Sequence, residues 1–337
     1  VSGEVIRVRG VSKYYRVHER PPGLEGAFRS LFHRTYKTVA AVDGIEFHID
    51  PGERVGFLGP NGAGKTTTLK LLAGLLHPSA GEVEVDGHQP RRREEAFLKK
   101  ITLVLGQKQQ LLWDLPPRDT FELNRAVYDV PRAQFEETLR ELSTLLELGD
   151  LVKRPARTLS LGERMKCELA AALVHRPKVL FLDEPTIGLD VSMQATVRSF
   201  IQRYNERYGA TLILTSHYME DVQRLCPRVI VVDQGKIVYD GALEDLVTRI
   251  RPDKRVSLRF SRPVDERDVA SLGTIVRAPG ETANGKPSWS VSLDVHKDAV
   301  NRVVTEALAR LPVSDLRVEA PPLEEVMSEL FAHRRNP

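Results

Sequence analysis

Gly59-Pro60-Asn61-Gly62-Ala63-Gly64-Lys65-Thr66-Thr67 is the stretch whose reading decides the fold. Gly59 and Gly64 enclose four residues, and Lys65 and the hydroxyl residue Thr66 follow at once, which is the spacing of a phosphate-cradling loop. Ahead of it, Arg54-Val55-Gly56-Phe57-Leu58 reads as a buried strand; behind it, Thr67-Thr68-Leu69-Lys70-Leu71-Leu72-Ala73 reads as an amphipathic helix. Such a turn aims backbone N–H groups and the positive end of the helix dipole at phosphate oxygens. Lys65 then reaches the β- and γ-phosphates, and Thr66 offers its hydroxyl to Mg²⁺. Asn61, Gly62, Ala63 and Thr67 complete the cradle. The loop implies a nucleoside triphosphate.

Outward from the loop, strands and helices alternate. Val5–Tyr15 and Val42–Ile49 read as strands on their β-branched bulk, and Gly81–Val85 and Ile101–Leu105 as two more. Helical runs are expected near Thr120–Tyr128, Arg132–Leu148 and Arg164–Val174. Val179–Leu182, Val191–Tyr208, Thr211–Thr215 and Val229–Val232 alternate strand, helix, strand, strand, and the whole argues for a parallel sheet covered by helices. After Asp240-Gly241 the composition changes, so a boundary is placed near residues 243–252. Beyond it the order strand, helix, strand, strand, helix, strand (βαββαβ) implies a small ferredoxin-like unit, followed by a last helix from Pro322.

The bulk numbers exclude some functions. With 337 residues, the chain suits one large and one small domain. A net charge of +3 is too small to argue for nucleic acid, and a pI near 8.8 only fits a protein facing anionic lipid. Cys167 and Cys226 lack metal-like spacing and read as buried free thiols. No run is long enough to span a bilayer, and no signal-type apolar segment opens the sequence. The expectation is a protein in the cytosol or seated peripherally on a membrane.

Two further stretches carry chemistry. Val179-Leu180-Phe181-Leu182-Asp183-Glu184 ends an apolar strand in two carboxylates, delivered to the edge of the sheet where ligands bind. Asp183 suits Mg²⁺ and Glu184 suits a general base that polarises the attacking water; a plain Asp-Glu-Pro turn is the alternative. Leu159-Ser160-Leu161-Gly162-Glu163 precedes a helix, and the offset of Ser160 and Glu163 is that of a capping box. A capped helix start with a bare Gly162 is also a phosphate-binding end.

At this point the chain resembles the nucleotide-binding subunit of ATP-binding-cassette transporters, over about residues 4–245. That resemblance implies an α/β P-loop NTPase cassette of residues 1–245, with a RecA-like parallel sheet, an antiparallel β subdomain and a helical subdomain near 106–176. A small C-terminal α+β domain, ferredoxin-like, would fill 252–337. It implies an ATPase with ATP and Mg²⁺ as cofactors. Gln107 takes the place of the switch glutamine, sensing Mg²⁺ and the attacking water, with Gln109 and Gln110 as neighbours that spacing disfavours. His217, ending Leu214-Thr215-Ser216-His217, takes that of the switch histidine. Asp190 closes the loop Pro185-Thr186-Ile187-Gly188-Leu189-Asp190 that crosses a dimer interface, and Tyr15 falls where the family stacks adenine, Tyr14 being its competitor. Leu161 and Glu163 depart from the usual glycine and glutamine of the signature, which puts the hydrolysis rate in question.

The resemblance also implies partners. Each ATP lies between one subunit's phosphate loop and the other's Ser160–Gly162 segment, so an ATP-sandwich homodimer is expected. Trp113, Asp114, Leu115 and Pro116 stand where the family docks a transmembrane permease, although a Trp packed on the cassette's own helices is the alternative. Residues 19–37 insert a basic amphipathic segment; Leu24, Phe28, Leu31 and Phe32 share one helical face, aimed at the permease or membrane surface or else packed on the sheet. The expected function is a peripheral motor on the cytoplasmic face of the inner membrane, driving a separately encoded exporter of amphipathic compounds. A soluble cassette ATPase acting on ribosomes or DNA and an import motor are the alternatives; no nucleic acid is expected.

Overall fold

The computed structural model describes residues 3–18, 36–106, 110–277 and 289–335. The chain forms two compact units, Val1–Gly241 and Ala242–Pro337.

In the first unit, β1 (Ile6–His18) pairs antiparallel with β2 (Tyr36–Ile49) on one side and β4 (Ala80–Val85) on the other, a three-stranded sheet. Both β1 and β2 run further than their apolar pattern suggested. Tyr14 to Val17 and Tyr36 to Ala40 are exposed, so this ribbon is held by backbone pairing without the buried alternation a sequence reveals. Residues 36 and 37 thereby belong to β2; the remaining expected amphipathic segment, with Leu24, Phe28, Leu31 and Phe32, lies outside the described residues.

The second sheet contains β3 (Arg54–Leu58), β5 (Ile101–Leu105), β6 (Val179–Asp183), β7 (Thr211–Thr215), β8 (Arg228–Asp233) and β9 (Lys236–Ala242), in the order β5-β6-β7-β3-β8-β9. Pairing from β5 through to β8 is parallel. Every residue of β6 and β7 is buried, the signature of strands covered on both faces. Because β6, β7 and β3 are neighbours, the residues that follow their carboxyl ends converge on one edge.

Helix α1 (Lys65–Leu72) follows β3, and a short α2 (Glu95–Leu98) precedes β5. Between β5 and β6 come α3 (Pro117–Val127), α4 (Arg132–Leu145) and α5 (Leu161–Leu173). Two of these start three residues earlier than expected: α3 because Pro117 occupies the first turn, where its missing N–H is harmless, and α5 because Ser160 caps it. Helices α6 (Val191–Tyr208) and α7 (Met219–Leu225) flank β7.

The second unit is α8 (Leu243–Ile250), β10 (Asp253–Phe260), α9 (Glu266–Ala270), β11 (Thr274–Arg277), β12 (Ser290–His296), α10 (Val300–Arg310), β13 (Val313–Glu319) and α11 (Leu323–Arg335). Its sheet runs β11-β12-β10-β13 with antiparallel neighbours, the ferredoxin-like order. Val256, Leu258, Leu293, Val295, Val303 and Ala307 form its core. Arg255 bridges Asp294 at 3.0 Å and Glu325 at 2.8 Å, fixing α11 to this sheet. Among the described residues, no helix is long and apolar enough to cross a membrane.

Candidate functional site

The phosphate loop hangs from a strand whose last four residues are buried. Gly64 has φ +106, and a Cβ there would collide with the Ala41 carbonyl, so only glycine lets the loop close against β2. Gly64 also heads α1 with no side-chain cap, which leaves the first N–H groups of the helix without a side-chain acceptor and aimed at the loop. The Lys65 side chain is nearly buried, and its ammonium donates to the carbonyls of Gly59 at 2.7 Å and Pro60 at 3.1 Å. Burial pushes Lys65 below its ordinary value, opposed by the charges of Glu184 and Asp183.

Asp183 ends β6 beside this loop. Its Oδ2 accepts from the Thr66 hydroxyl at 2.9 Å and its Oδ1 from Thr215 at 2.5 Å. A hydroxyl and a carboxylate held together beside a phosphate cradle are hard oxygen donors, and they fit Mg²⁺, which takes one or two protein ligands and completes its shell with phosphate and water. Glu184 follows with φ 55, in the left-handed region that costs a residue bearing Cβ about 1–3 kcal/mol. That turn is pinned: the Glu184 N–H donates to the Thr215 carbonyl at 3.0 Å, and a side chain at Gly106 would overlap the Glu184 carbonyl. The Glu184 carboxylate then reaches Nε2 of His217 at 2.9 Å.

The second cluster lies at the start of α5. Ser160 and Glu163 form the capping box: the Ser160 N–H donates to the Glu163 carboxylate at 2.8 Å and the Glu163 N–H to the Ser160 hydroxyl at 3.3 Å. The Ser160 N–H, then the Ser160 hydroxyl, hold Glu163 below the ordinary carboxyl value, with Arg154 adding its charge from 3.6 Å. The extra negative charge in the signature is therefore tied back onto its own helix. Leu161, the other departure, rests beside Gly188. Gly162 faces Met193 of α6, and Asp190 caps α6 by accepting the Met193 N–H at 2.9 Å.

The remaining sequence-derived candidates are scattered. Gln107 lies outside the described residues, whereas the Gln110 amide donates to the Leu103 carbonyl at 3.0 Å. The Tyr14 hydroxyl is engaged with Asp43 at 3.3 Å; the exposed Tyr15 ring has the Lys13 ammonium 5.4 Å from its centre. Trp113 is 43% exposed rather than packed in the core, with the Arg164 guanidinium 5.6 Å over its ring. Leu112 and Leu115 beside it are exposed, Asp114 pairs with Arg157 at 3.5 Å, and Pro116 heads α3. Sequence reading missed a groove of about 480 Å³ lined by Leu75, Leu103, Gln110, Val127 and Tyr128. Its apolar residues alternate with no period that marks a surface.

Phosphate cradle, paired oxygen donors and a strand-end carboxylate–imidazole pair together define an ATP-hydrolysing cassette. Residues 42–187 match the family described as "ABC transporter", and residues 252–319 match "EvrA-like ABC transporter, C-terminal domain". The chain is 36% identical over 215 residues to the ABC transporter ATP-binding protein NatA of Bacillus subtilis (strain 168), covering 64% of this chain and 87% of that one. It is 31% identical to the daunorubicin resistance ATP-binding protein DrrA3 of Streptomyces coeruleorubidus, across 90% of this chain and 94% of the relative. It is 35% identical to the Nod factor export ATP-binding protein I of Burkholderia thailandensis (strain ATCC 700388 / DSM 13276 / CCUG 48851 / CIP 106301 / E264), across 64% and 70%. A solved ATP-binding subunit of an ABC transporter superposes with TM-score 0.60 at 21% identity, covering 73% of this chain and 92% of that one. A dimeric cassette in a post-hydrolysis state, bound to ADP and Pi, gives TM-score 0.58 at 22% identity, covering 71% and 98%. The chain belongs to the ATP-binding subunits of ABC transporters. It is an ATPase, with ATP and Mg²⁺ as its cofactors.

Proposed function

We propose that two copies of this chain bind two ATP molecules between them and drive a separately encoded permease that exports amphipathic compounds of the drug, lipid or glycan class. Two of the named relatives are a daunorubicin resistance and a Nod factor export ATP-binding protein, which supports that direction and cargo class. The observation that carries the catalytic part is the Glu184–His217 contact of 2.9 Å at adjoining strand ends, beside the Thr66–Asp183 pair.

Backbone N–H groups from Gly62 to Thr67 and the Lys65 ammonium bind the phosphates, Lys65 exchanging the carbonyls of Gly59 and Pro60 for phosphate oxygens. Thr66 and Asp183 hold Mg²⁺, which when bound neutralises charge on the phosphate oxygens. Glu184 takes a proton from the attacking water, and His217, whose Nε2 lies 2.9 Å from that carboxylate, orients it and faces the γ-phosphate. Tyr15 stacks adenine; Ser160 and Gly162 of one subunit close over the nucleotide of the other, and Asp190 meets the opposite subunit. Gln107 senses the water. The exposed Leu112, Trp113 and Leu115 dock the permease, which puts the subunit peripherally at the cytoplasmic face of the inner membrane.

Glu184→Gln keeps the side chain's shape and removes its basicity. Turnover falls by about 10² or more while ATP affinity holds, and a nucleotide-bound dimer persists in gel filtration. Near-normal turnover of the purified variant sinks the assignment.

A further inference from the structure

We propose that Asp221 is a positioning residue that holds the Glu184 and His217 turns in register for hydrolysis; the proposal rests on the catalytic assignment of those two groups. Asp221 lies on α7 with no exposed surface. Its Oδ2 accepts from the Ser216 hydroxyl at 2.7 Å and from the Thr186 hydroxyl, and its Oδ1 accepts from Arg198 at 2.8 Å. Thr186 follows Glu184 by two residues, Ser216 precedes His217 by one, and Arg198 belongs to the helix that Asp190 caps. The Ser216 oxygen also accepts the Tyr218 N–H at 3.0 Å, so it grips the chain on both sides of His217. Three separate segments of the site thus end on one carboxylate.

The chemistry explains why a carboxylate stands there. Strand-end turns have few ladder hydrogen bonds, and Glu184 occupies a strained backbone conformation that relaxes unless it is over-determined. A buried charge pair adds little net stability over apolar packing of equal volume. What it does supply is directed geometry: three donors converge on the two oxygens, so a shift of any one segment breaks a charge-assisted bond. Thr186 tethers the turn after Glu184, and Ser216 tethers the turn that carries His217. Their common anchor sets the distance between the two reacting groups.

The test uses the full chain and its ATP turnover, normalised to protein that binds nucleotide. Asp221→Asn removes the charge at constant shape, and Ser216→Ala removes one hydroxyl with little risk to folding. Each lowers kcat by about 10-fold to 100-fold, as small misplacements do, while KM for ATP moves by less than about twofold. In a Glu184→Gln background, Asp221→Asn produces no further loss, because groups that act as a unit are not additive. Loss of kcat only in proportion to lost nucleotide binding, or kcat within about twofold of the unmodified chain in both variants, overturns the proposal. Full turnover in Glu184→Gln alone overturns the catalytic assignment instead, and this proposal with it.

Discussion

Glu168 faces inward from α5, 3% exposed, with Arg164 at 3.8 Å and the Gln110 backbone N–H as its polar company. Burial pushes its carboxyl from 4.5 up to about 7, against the opposing pull of Arg164 and then Gln110. The sign follows from linkage. Between these two values the folded chain binds more protons than the unfolded one, so stability falls as pH rises across that window and is level on either side. Glu168→Gln keeps an oxygen for the Gln110 N–H and removes the titration. Its urea midpoint should exceed that of the unmodified chain at about pH 8 and approach it at about pH 5. Parallel pH curves for the two proteins would contradict the buried-carboxyl account. Nothing in the sequence marks Glu168, since a glutamate in a helix reads as a solvated one. Lys65, Thr66, Asp183 and Glu184 were legible because spacing and strand ends carry them; Asp221, Thr186 and Ser216 were not, because their convergence is tertiary.

At the level of elements, α5 shows how a local rule and a tertiary contact meet. The Ser160–Glu163 offset was readable as a capping box, and the structure forms it, starting the helix at Leu161, ahead of the expected Arg164. The short helices α2 and α7 escaped notice because four and seven residues carry too little periodicity to register. Gly162, two residues into α5, puts opposing terms on one substitution. Alanine is the better helix former by roughly 0.5–1 kcal/mol. Its Cβ, however, would stand 2.7 Å from Cγ and 2.9 Å from Cε of Met193, and overpacking costs about 1–3 kcal/mol. The contact wins, so Gly162→Ala lowers the unfolding midpoint. With Met193→Ala in the same chain the clash is gone, and the same change becomes neutral or stabilising. Denaturant titrations of the four proteins check this, and an equal loss in both backgrounds would show that Met193 is not the obstacle.

For the whole molecule, the order of elements was the most legible feature: βαββαβ after the boundary gave the ferredoxin-like sheet, and the alternation before it gave the parallel one. What no single chain displays is how its two proposed phosphate-binding ends, the cradle before α1 and the capped start of α5, are used together. If each nucleotide is closed by one end from each of two subunits, damage to the two ends complements in trans. Lys65→Ala removes the ammonium proposed to bind phosphate, and Ser160→Ala removes a cap worth about 1 kcal/mol together with the hydroxyl proposed to meet the other subunit's nucleotide. Either variant alone has two defective sites per dimer. A mixed dimer has one site with both defects and one with neither. Equal mixing makes half the dimers mixed, so turnover should recover to roughly a quarter of the unmodified level in a symmetric dimer with independent sites. Ser160→Ala should also still bind ATP as a single subunit, which separates loss of the shared site from loss of the cradle. A mixture no more active than the mean of its components, or a Ser160→Ala protein with unchanged turnover, would mean that each chain hydrolyses ATP without its neighbour's α5.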